Sequence, residues 1–196
     1  MSDFRLYAET GLYYGLGITN QALVLLFAML AVSYSFKDWK KLLLLIAVFS
    51  IGSFVSLLLL SFGIVTIKMK LVAFLIPLTV LLTAFYNLFT AGKSAKKEPA
   101  SILGFLVFCF GIIHGLAFAA YFNGVFSGKA SEKILSLIAF AIGIEGAQLT
   151  VVLALLILSY GIHTFFRFSK RDFILVLSAF VIGVIVPLLI KNEIWK

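Results

Sequence analysis

The sequence predicts an all-α integral membrane protein built as a bundle of six transmembrane helices. Hydrophobic residues make up 63% of the 196 residues, charged residues only 12%, and the mean hydropathy is +1.16. Soluble domains contain about 25% charged residues, so this composition does not provide the surface of a water-soluble protein. The charged residues also fall between apolar blocks of roughly 20 residues, the length that a helix needs to cross ~30 Å of hydrocarbon.

The apolar blocks predict six spans in one polytopic domain that occupies residues 1–196. We expect the helices near residues 12–34, 42–63, 71–91, 101–123, 134–160 and 173–190. Their apolar runs are continuous, whereas the strands of a transmembrane barrel alternate apolar and polar residues. The connections are too short to fold as soluble domains, so any chemistry lies inside the bundle or comes from a partner.

The distribution of Lys and Arg predicts the orientation of the chain. The first, third and fifth connections carry more of these residues than the opposite side, so we expect both termini outside the cytoplasm. The formal charge of +8 does not imply a nucleic-acid partner, because basic residues that flank membrane spans anchor them to anionic lipid. Membrane lipid is therefore the predicted partner.

Proline and cysteine add two local expectations. Pro77, inside the third span, has no N–H to donate to the carbonyl of Ala73, so that carbonyl loses its usual partner and a kink is expected. A substrate pathway and ordinary helix packing both explain this proline. Cys109 is the only cysteine, which excludes a disulfide within the chain.

A few polar side chains inside the apolar spans are candidates for function. Glu145 is an acidic residue deep in the fifth span, and Gln148 follows it on the same helix face. An ionisable side chain at the centre of a span is costly, so it normally faces the bundle interior and has a partner. His114, in the fourth span, is the predicted partner of Glu145, since an imidazole can exchange a proton with it or bind a metal.

Small residues predict how the fourth and fifth spans pack. Gly111 and Gly115 flank His114, and Gly143 with Ala147 repeats the four-residue spacing in the fifth span. Small residues at this spacing let two helices approach closely. We therefore expect these two helices to pack tightly and to bring His114 near the face that carries Glu145.

Similar segments in the two halves raise the possibility of a three-plus-three inverted repeat. Gly17 to Asn20 in the first span resembles Gly111 to His114, and Phe49 to Gly52 resembles Phe140 to Gly143. A duplication of three spans would insert the halves with opposite topology, as in many transporters, and Asn20 would then occupy the position in the first span that matches His114. Chance recurrence of Gly, Ile and Phe explains the same matches. Asn20, Gln21 and Asn87 are further polar groups, and interhelical hydrogen bonding is the alternative role for all of them.

Two segments carry a resemblance to a known family. FGIIHGLAFA at residues 110–119, followed by GIEGAQL at residues 143–149, resembles the HupE/UreJ family of hydrogenase and urease accessory membrane proteins. The resemblance extends from about Gly11 to about Ser159. It implies a bacterial inner-membrane protein related to nickel or cobalt uptake, with the metal as substrate and with His114 and Glu145 as metal ligands.

The chain departs from the family pattern at several ligand positions. The family's histidines, aspartate, glutamate and asparagine are replaced at Tyr13, Thr19, Asn20, Ser53, Ala73 and Ala141. His114 and Glu145 are the recognisable metal-binding groups that remain. Two such ligands and an amide hold a divalent transition metal poorly, because a site usually needs three or four donors.

Three classes of function follow. The first is a transporter or permease for a small ion or solute that uses His114, Glu145, Gln148 and Asn20. The second is a non-transporting subunit of a membrane complex, in which these residues only join helices and the partners are other membrane proteins. The third is a hydrolase with Ser53 or Ser56 beside His114, but no spacing singles out a nucleophile. We therefore predict that the chain is not an enzyme, and the sequence assigns no resident cofactor.

Overall fold

The computed structural model describes residues 2–17, 21–33, 38–92, 100–166 and 169–195, and these ranges contain helices and no strand. The described α-helices are α1 (Ser2–Leu16), α2 (Gln21–Ser33), α3 (Trp39–Ser61), α4 (Met69–Thr90), α5 (Ala100–Val125), α6 (Lys133–Phe166) and α7 (Lys170–Ile190). Short 3-10 turns precede α6 at Ala130–Glu132 and follow α7 at Glu193–Trp195. The helices α3 to α7 are long and apolar enough to cross a membrane. The chain is therefore a multi-pass, all-α membrane protein.

The first predicted span, 12–34, differs from the structure. Two helices stand in its place, because α1 ends at Leu16 and α2 begins at Gln21. The N–H of Gly17 donates to the carbonyl of Tyr14 at 3.3 Å, a tight closure that ends α1. An ion pair of 2.7 Å between Arg5 and Glu9, one turn apart, supports helix well before the apolar run begins. A sixth uninterrupted span is thus absent from the described residues, and the other five predicted spans correspond to α3 to α7.

The end of α3 is fixed by backbone geometry. Gly63 follows the helix with φ of +72°, a conformation that side chains rarely adopt. Its N–H donates to Leu60 O at 3.1 Å, and the N–H of Ile64 donates to Leu59 O at 2.9 Å. These two bonds satisfy carbonyls that the last helical turn leaves open. The chain therefore turns sharply towards α4.

Glycines set the closest helix contacts, and these contacts correct the predicted packing of the fourth and fifth spans. Those spans are α5 and α6, and their small residues face other helices. A Cβ added at Gly111 or Gly115 would overlap backbone oxygens of α3, and a Cβ added at Gly143 would overlap the carbonyl of Ala8 in α1. Ala147 likewise lies against Gly15 of α1. Helix α5 therefore packs tightly on α3, and α6 packs tightly on α1. The sequence did not indicate these pairs, because small residues allow a close approach to any helix and do not specify which one.

The two close helix pairs repeat the same contacts. A Cβ at Gly11 would overlap the carbonyl of Phe140, and a Cβ at Gly111 would overlap the carbonyl of Phe49. The two contacts match residue by residue. Gly111 of α5 lies 100 positions after Gly11 of α1 (111 − 11 = 100), and Phe140 of α6 lies 91 positions after Phe49 of α3 (140 − 49 = 91). The same offsets relate a second set of contacts, between Gly143 and Ala8 and between Gly52 and Phe108.

The carbonyl that Pro77 leaves without its helical donor has another partner. Pro77 lies inside α4, and the side-chain amide of Asn192 donates to Ala73 O at 3.2 Å. The indole N–H of Trp195 donates to Leu189 O at 2.8 Å and its ring packs edge-on against Phe74 at 5.5 Å. The segment after α7 therefore caps the first half of α4.

Candidate functional site

A carboxyl group and a hydroxyl meet where α3 and α6 approach each other. Glu145 lies near the middle of α6 and is half-buried, and its Oε2 is 2.5 Å from the Oγ of Ser50 in α3. Gln148, three residues after Glu145, faces the same hydroxyl, with its Oε1 at 3.4 Å. The spacing of Glu145 and Gln148 places both on one side of α6. The polar face predicted for this helix therefore points inward, and its partner is Ser50.

Ser50 begins a row of hydroxyls along α3. Ser50 Oγ lies 2.9 Å from Ile46 O, Ser53 Oγ donates to Ser50 O at 3.0 Å, and Ser56 Oγ donates to Ser53 O at 3.1 Å. Serine often returns its hydroxyl to its own helix in this way. Ser53 and Ser56, considered above as nucleophiles, thus use their protons on backbone carbonyls, and His114 bonds neither of them.

An apolar cavity leads to the carboxyl. It has a volume of about 390 Å³ and lies between α3 and α6, with Ser50, Ser53 and Glu145 as its polar lining. The rest of the lining is apolar, and Ile51 and Ile142 lie on the exposed outer surface. That surface carries large apolar side chains, as the lipid-facing surface of a membrane protein does. The carboxyl therefore lines a groove between α3 and α6.

The amide of Gln148 is buried beside this site. Only 1% of the residue is exposed, and among the described residues its Nε2 has no hydrogen-bond partner. A buried amide nitrogen without a partner costs free energy comparable to a lost hydrogen bond. The Oε1 and Nε2 positions of an amide are assigned from the hydrogen-bond network. The Gln148 amide, which faces Ser50 through Oε1, therefore belongs to the polar cluster around Glu145.

His114 lies elsewhere in the bundle interior, which corrects the expectation that it contacts the face of Glu145. It is 1% exposed, its Nε2 is 3.1 Å from the Oγ of Thr79 in α4, and its ring lies 5.4 Å from that of Phe49. Thr79 Oγ donates to Ile76 O at 2.7 Å. Because that hydroxyl has a single proton, we assign the hydrogen between the two side chains to Nε2. His114 thus joins α5 to α4. The backbone of α5 approaches that of α3 closely, whereas α5 meets α6 through rings such as Phe122 and Phe140, whose centroids are 5.5 Å apart.

Of the other polar candidates, Asn20, Gln21 and Asn87, the structure describes the side chain of Asn87 only. Asn20 lies outside the described residues, and so does the side chain of Gln21. Asn87 of α4 is buried and donates from Nδ2 to Met29 O of α2 at 2.6 Å. This is the interhelical hydrogen bond considered above as the alternative role for Asn87.

The donors at the site do not fit a tightly bound transition metal. Within the described ranges, no group of three or more His, Cys, Asp or Glu side chains is placed to hold a metal ion. Around Glu145 the donors are oxygens of a carboxyl, a hydroxyl and an amide. Nickel and cobalt sites in proteins usually include nitrogen or sulfur ligands, and Nε2 of His114 is bonded to Thr79.

Comparison with known families identifies the chain. The family model described as HupE / UreJ protein matches residues 8–192, which is nearly the whole sequence. The chain belongs to the HupE/UreJ family. This membership confirms the resemblance drawn from residues 110–119 and 143–149, both of which lie inside the match. For this HupE/UreJ protein, neither the curated proteins nor the solved structures gave a match.

Two residues of the site were not predicted from the sequence. Ser50 could have been found, because Ser50, Ser53 and Ser56 recur at three-residue spacing and form one polar stripe on α3. Thr79 carries no such signal, since a single threonine in an apolar helix usually bonds its own backbone. Contacts between distant helices place both residues, and spacing along one helix does not report those contacts.

Proposed function

We propose that this HupE/UreJ protein is a transporter or permease for a small ion or solute in the bacterial inner membrane. The observation that carries the proposal is the Ser50–Glu145–Gln148 cluster between α3 and α6, of which Ser50 and Glu145 line a cavity of about 390 Å³. Ionisable groups inside membrane spans are expensive and typically mark ion or substrate pathways. A cavity of this size accommodates a small solute.

The interruption between α1 and α2 supports the same function. Transporters commonly place their binding sites where helices are broken, at the interface between two repeats. We propose that the matched contacts of α1 with α6 and of α5 with α3 reflect a three-plus-three inverted repeat. In that arrangement the contact between α3 and α6 lies at the repeat interface, where Ser50 meets Glu145. Asn20, near the interruption, is proposed to line the same pathway.

The family suggests nickel or cobalt as substrate, and the side chains qualify that suggestion. His114 and Glu145 are the recognisable metal-binding groups of the predicted site, and they bond Thr79 and Ser50 respectively. A metal that passes along this route would be held weakly, by single ligands in succession. We therefore propose a small ion or weakly held solute as cargo, with the transition metals as test substrates.

A transport assay tests the proposal directly. Purified protein in liposomes should take up at least one of nickel, cobalt, zinc or protons, and Glu145→Gln should reduce that flux at least tenfold. His114→Ala should also reduce it, because it removes the contact between α5 and α4. Thr150→Val is the matched control on α6, since the Thr150 hydroxyl bonds Gly146 O of its own helix and the residue is exposed. Flux that is equal in Glu145→Gln and wild type contradicts transport through this site.

The alternative is a non-transporting subunit of a membrane complex. It is favoured by the interhelical bonds of His114 to Thr79 and of Asn87 to Met29, which join helices without lining the cavity. Purification in mild detergent separates the two proposals. A stoichiometric partner, with no flux of any test ion, supports the subunit; flux from the isolated chain supports the transporter.

We also propose that both termini lie outside the cytoplasm. In a Cys109→Ser background, a single cysteine at position 2 should react with a membrane-impermeant maleimide in intact spheroplasts. Reaction only after lysis would reverse the proposed orientation.

A further inference from the structure

We propose that an apolar groove between the start of α4 and the end of α7 binds an acyl chain of an anionic phospholipid, whose phosphate lies against Lys70 and Lys191. The groove has a volume of about 410 Å³. Its lining residues are all apolar or aromatic: Phe74, Leu189, Ile190 and Trp195. It shares no lining residue with the cavity beside Glu145, so this inference does not depend on the proposed transport.

The groove lies at the depth where the acyl chains of a bilayer meet the headgroups. Helix α4 begins at Met69, and at a rise of 1.5 Å per residue Phe74 lies about 7.5 Å along the helix from that end. Leu189 and Ile190 belong to the last turn of α7. Both helices are long and apolar enough to cross a membrane, so these ends lie near its surface, where tryptophans such as Trp195 are common. A phospholipid is therefore the molecule that the groove faces.

Hydrogen bonds hold the outer wall of the groove in place. The indole N–H of Trp195 donates to Leu189 O at 2.8 Å, and the backbone N–H of Asn192 donates to the same carbonyl at 3.2 Å. The side chain of Asn192 also donates to Ala73 O. The Trp195 ring is fixed edge-on against Phe74, yet the residue is 68% exposed. A wall that is already ordered loses little conformational freedom when a chain binds, which favours a retained lipid over one that exchanges freely with the bilayer.

The rim of the groove is basic, which selects an anionic lipid. Lys70 lies one turn before Phe74 on α4, Lys68 directly precedes that helix, and Lys191 directly follows α7. All three lysines are exposed, and together they outnumber the acidic Glu193. Lys70 Nζ is 3.8 Å from Glu193 Oε2, and the two side chains are 65% and 70% exposed. An exposed pair at this distance contributes little stability, so a lipid phosphate can replace the carboxylate beside Lys70.

Brominated phospholipids test the inference, because bromine on an acyl chain quenches the fluorescence of a tryptophan that it touches. The chain has two tryptophans, Trp39 and Trp195, so Trp39→Phe leaves Trp195 as the reporter of the groove. The purified variant is reconstituted in phosphatidylcholine vesicles that contain increasing fractions of one brominated lipid. Brominated phosphatidylglycerol should reach half-maximal quenching at a mole fraction at least about fivefold lower than brominated phosphatidylcholine, the factor expected from one lysine beside an anionic headgroup.

Two changes at the rim should move this preference in opposite directions. Lys70→Ala combined with Lys191→Ala should remove the difference between the two brominated lipids, because the phosphate loses the charges that hold it. Glu193→Gln should enlarge the difference, because it removes the negative charge at the rim and frees Lys70 for the phosphate. All three side chains are exposed, so neither change disturbs the packing of the bundle. A groove that retained lipid through its apolar lining alone would respond to neither change, and that result overturns the selection of an anionic lipid.

Trp39 provides the matched control. It is exposed, it lies where α3 begins, at the opposite end of the bundle, and Lys40 Nζ is 5.7 Å from the centroid of its ring. Trp39 thus has a basic neighbour but does not line the groove. In Trp195→Phe, where Trp39 alone reports, the preference for phosphatidylglycerol should be smaller than at Trp195. An equal preference at both tryptophans overturns the site, because it means general attraction of anionic lipid to a basic surface. If neither lipid quenches Trp195 and the protein is a dimer by cross-linking, a second copy covers the groove and the proposal is wrong.

Discussion

Replacing Gly111 by alanine should force α3 and α5 apart, whereas the same replacement at Gly104 should not. Both glycines lie in α5. A Cβ at Gly111 would overlap the carbonyl oxygen of Phe49, while a Cβ at Gly104 would meet no atom within 4 Å. The pair therefore compares one chemical change in two environments on one helix.

The expected magnitude follows from two opposing effects. Alanine is favoured over glycine in a helix interior by about 1 kcal/mol, and this gain applies to both variants. Overpacking of a close contact costs about 1–3 kcal/mol, and this cost applies only at Gly111. The propensity gain cancels in the comparison, so Gly111→Ala should be about 1–3 kcal/mol less stable than Gly104→Ala.

The measurement is the free energy of unfolding in mixed micelles, followed by circular dichroism as denaturing detergent is added. Gly104→Ala should match or exceed the wild type. Equal stability of Gly104→Ala and Gly111→Ala would refute the reasoning, because it would mean that α3 and α5 do not approach closely at Gly111.

Two further bonds can be tested in the same assay. Asn192→Ala should cost about 0.5–1.5 kcal/mol by removing the donor to Ala73 O, and the cost should vanish in a Pro77→Ala background, where a backbone N–H becomes available to that carbonyl. An unchanged cost in that background would mean that Asn192 acts through other contacts. Asn87→Ala should cost about 0.5–1.5 kcal/mol because it removes the hydrogen bond from Asn87 Nδ2 to the carbonyl of Met29, and a neutral result would show that the bond does not join α4 to α2.

The helical class and most of the span limits follow from composition alone. Continuous apolar runs of about 20 residues have one stable structure in a bilayer, and α3 to α7 fall where those runs lie. The interruption of the first span does not follow, because hydropathy sums side chains and does not detect where backbone hydrogen bonding stops. The closure between Gly17 and Tyr14 is such a local backbone event.

The inward-facing polar pair was predictable, but its partners were not. The cost of an acidic group in hydrocarbon required Glu145 to have a polar contact, and Ser50 makes it. His114 was predicted to fill that role because an imidazole can exchange a proton with a carboxylic acid or bind a metal. Chemical suitability does not bring two helices together, however, and the backbone contacts of Gly111 and Gly143 direct α5 to α3 and α6 to α1.

In the proposed three-plus-three repeat, the glycine contacts change which residues of the two halves would correspond. With the offsets of 100 and 91 that those contacts give, His114 corresponds to Tyr14, and both rings lie beside matched phenylalanines, at 5.4 Å from Phe49 and at 6.3 Å from Phe140. The match of His114 with Asn20 came from the similarity of residues 17–20 to residues 111–114 and used a different offset. Glycines at a close backbone contact tolerate no side chain, so they should stay in place after a duplication and show which positions correspond. The positions around them are under no such constraint. On this register Glu145 corresponds to Phe54, so only one of these two positions carries a carboxyl, and we expect the proposed transport site to be asymmetric.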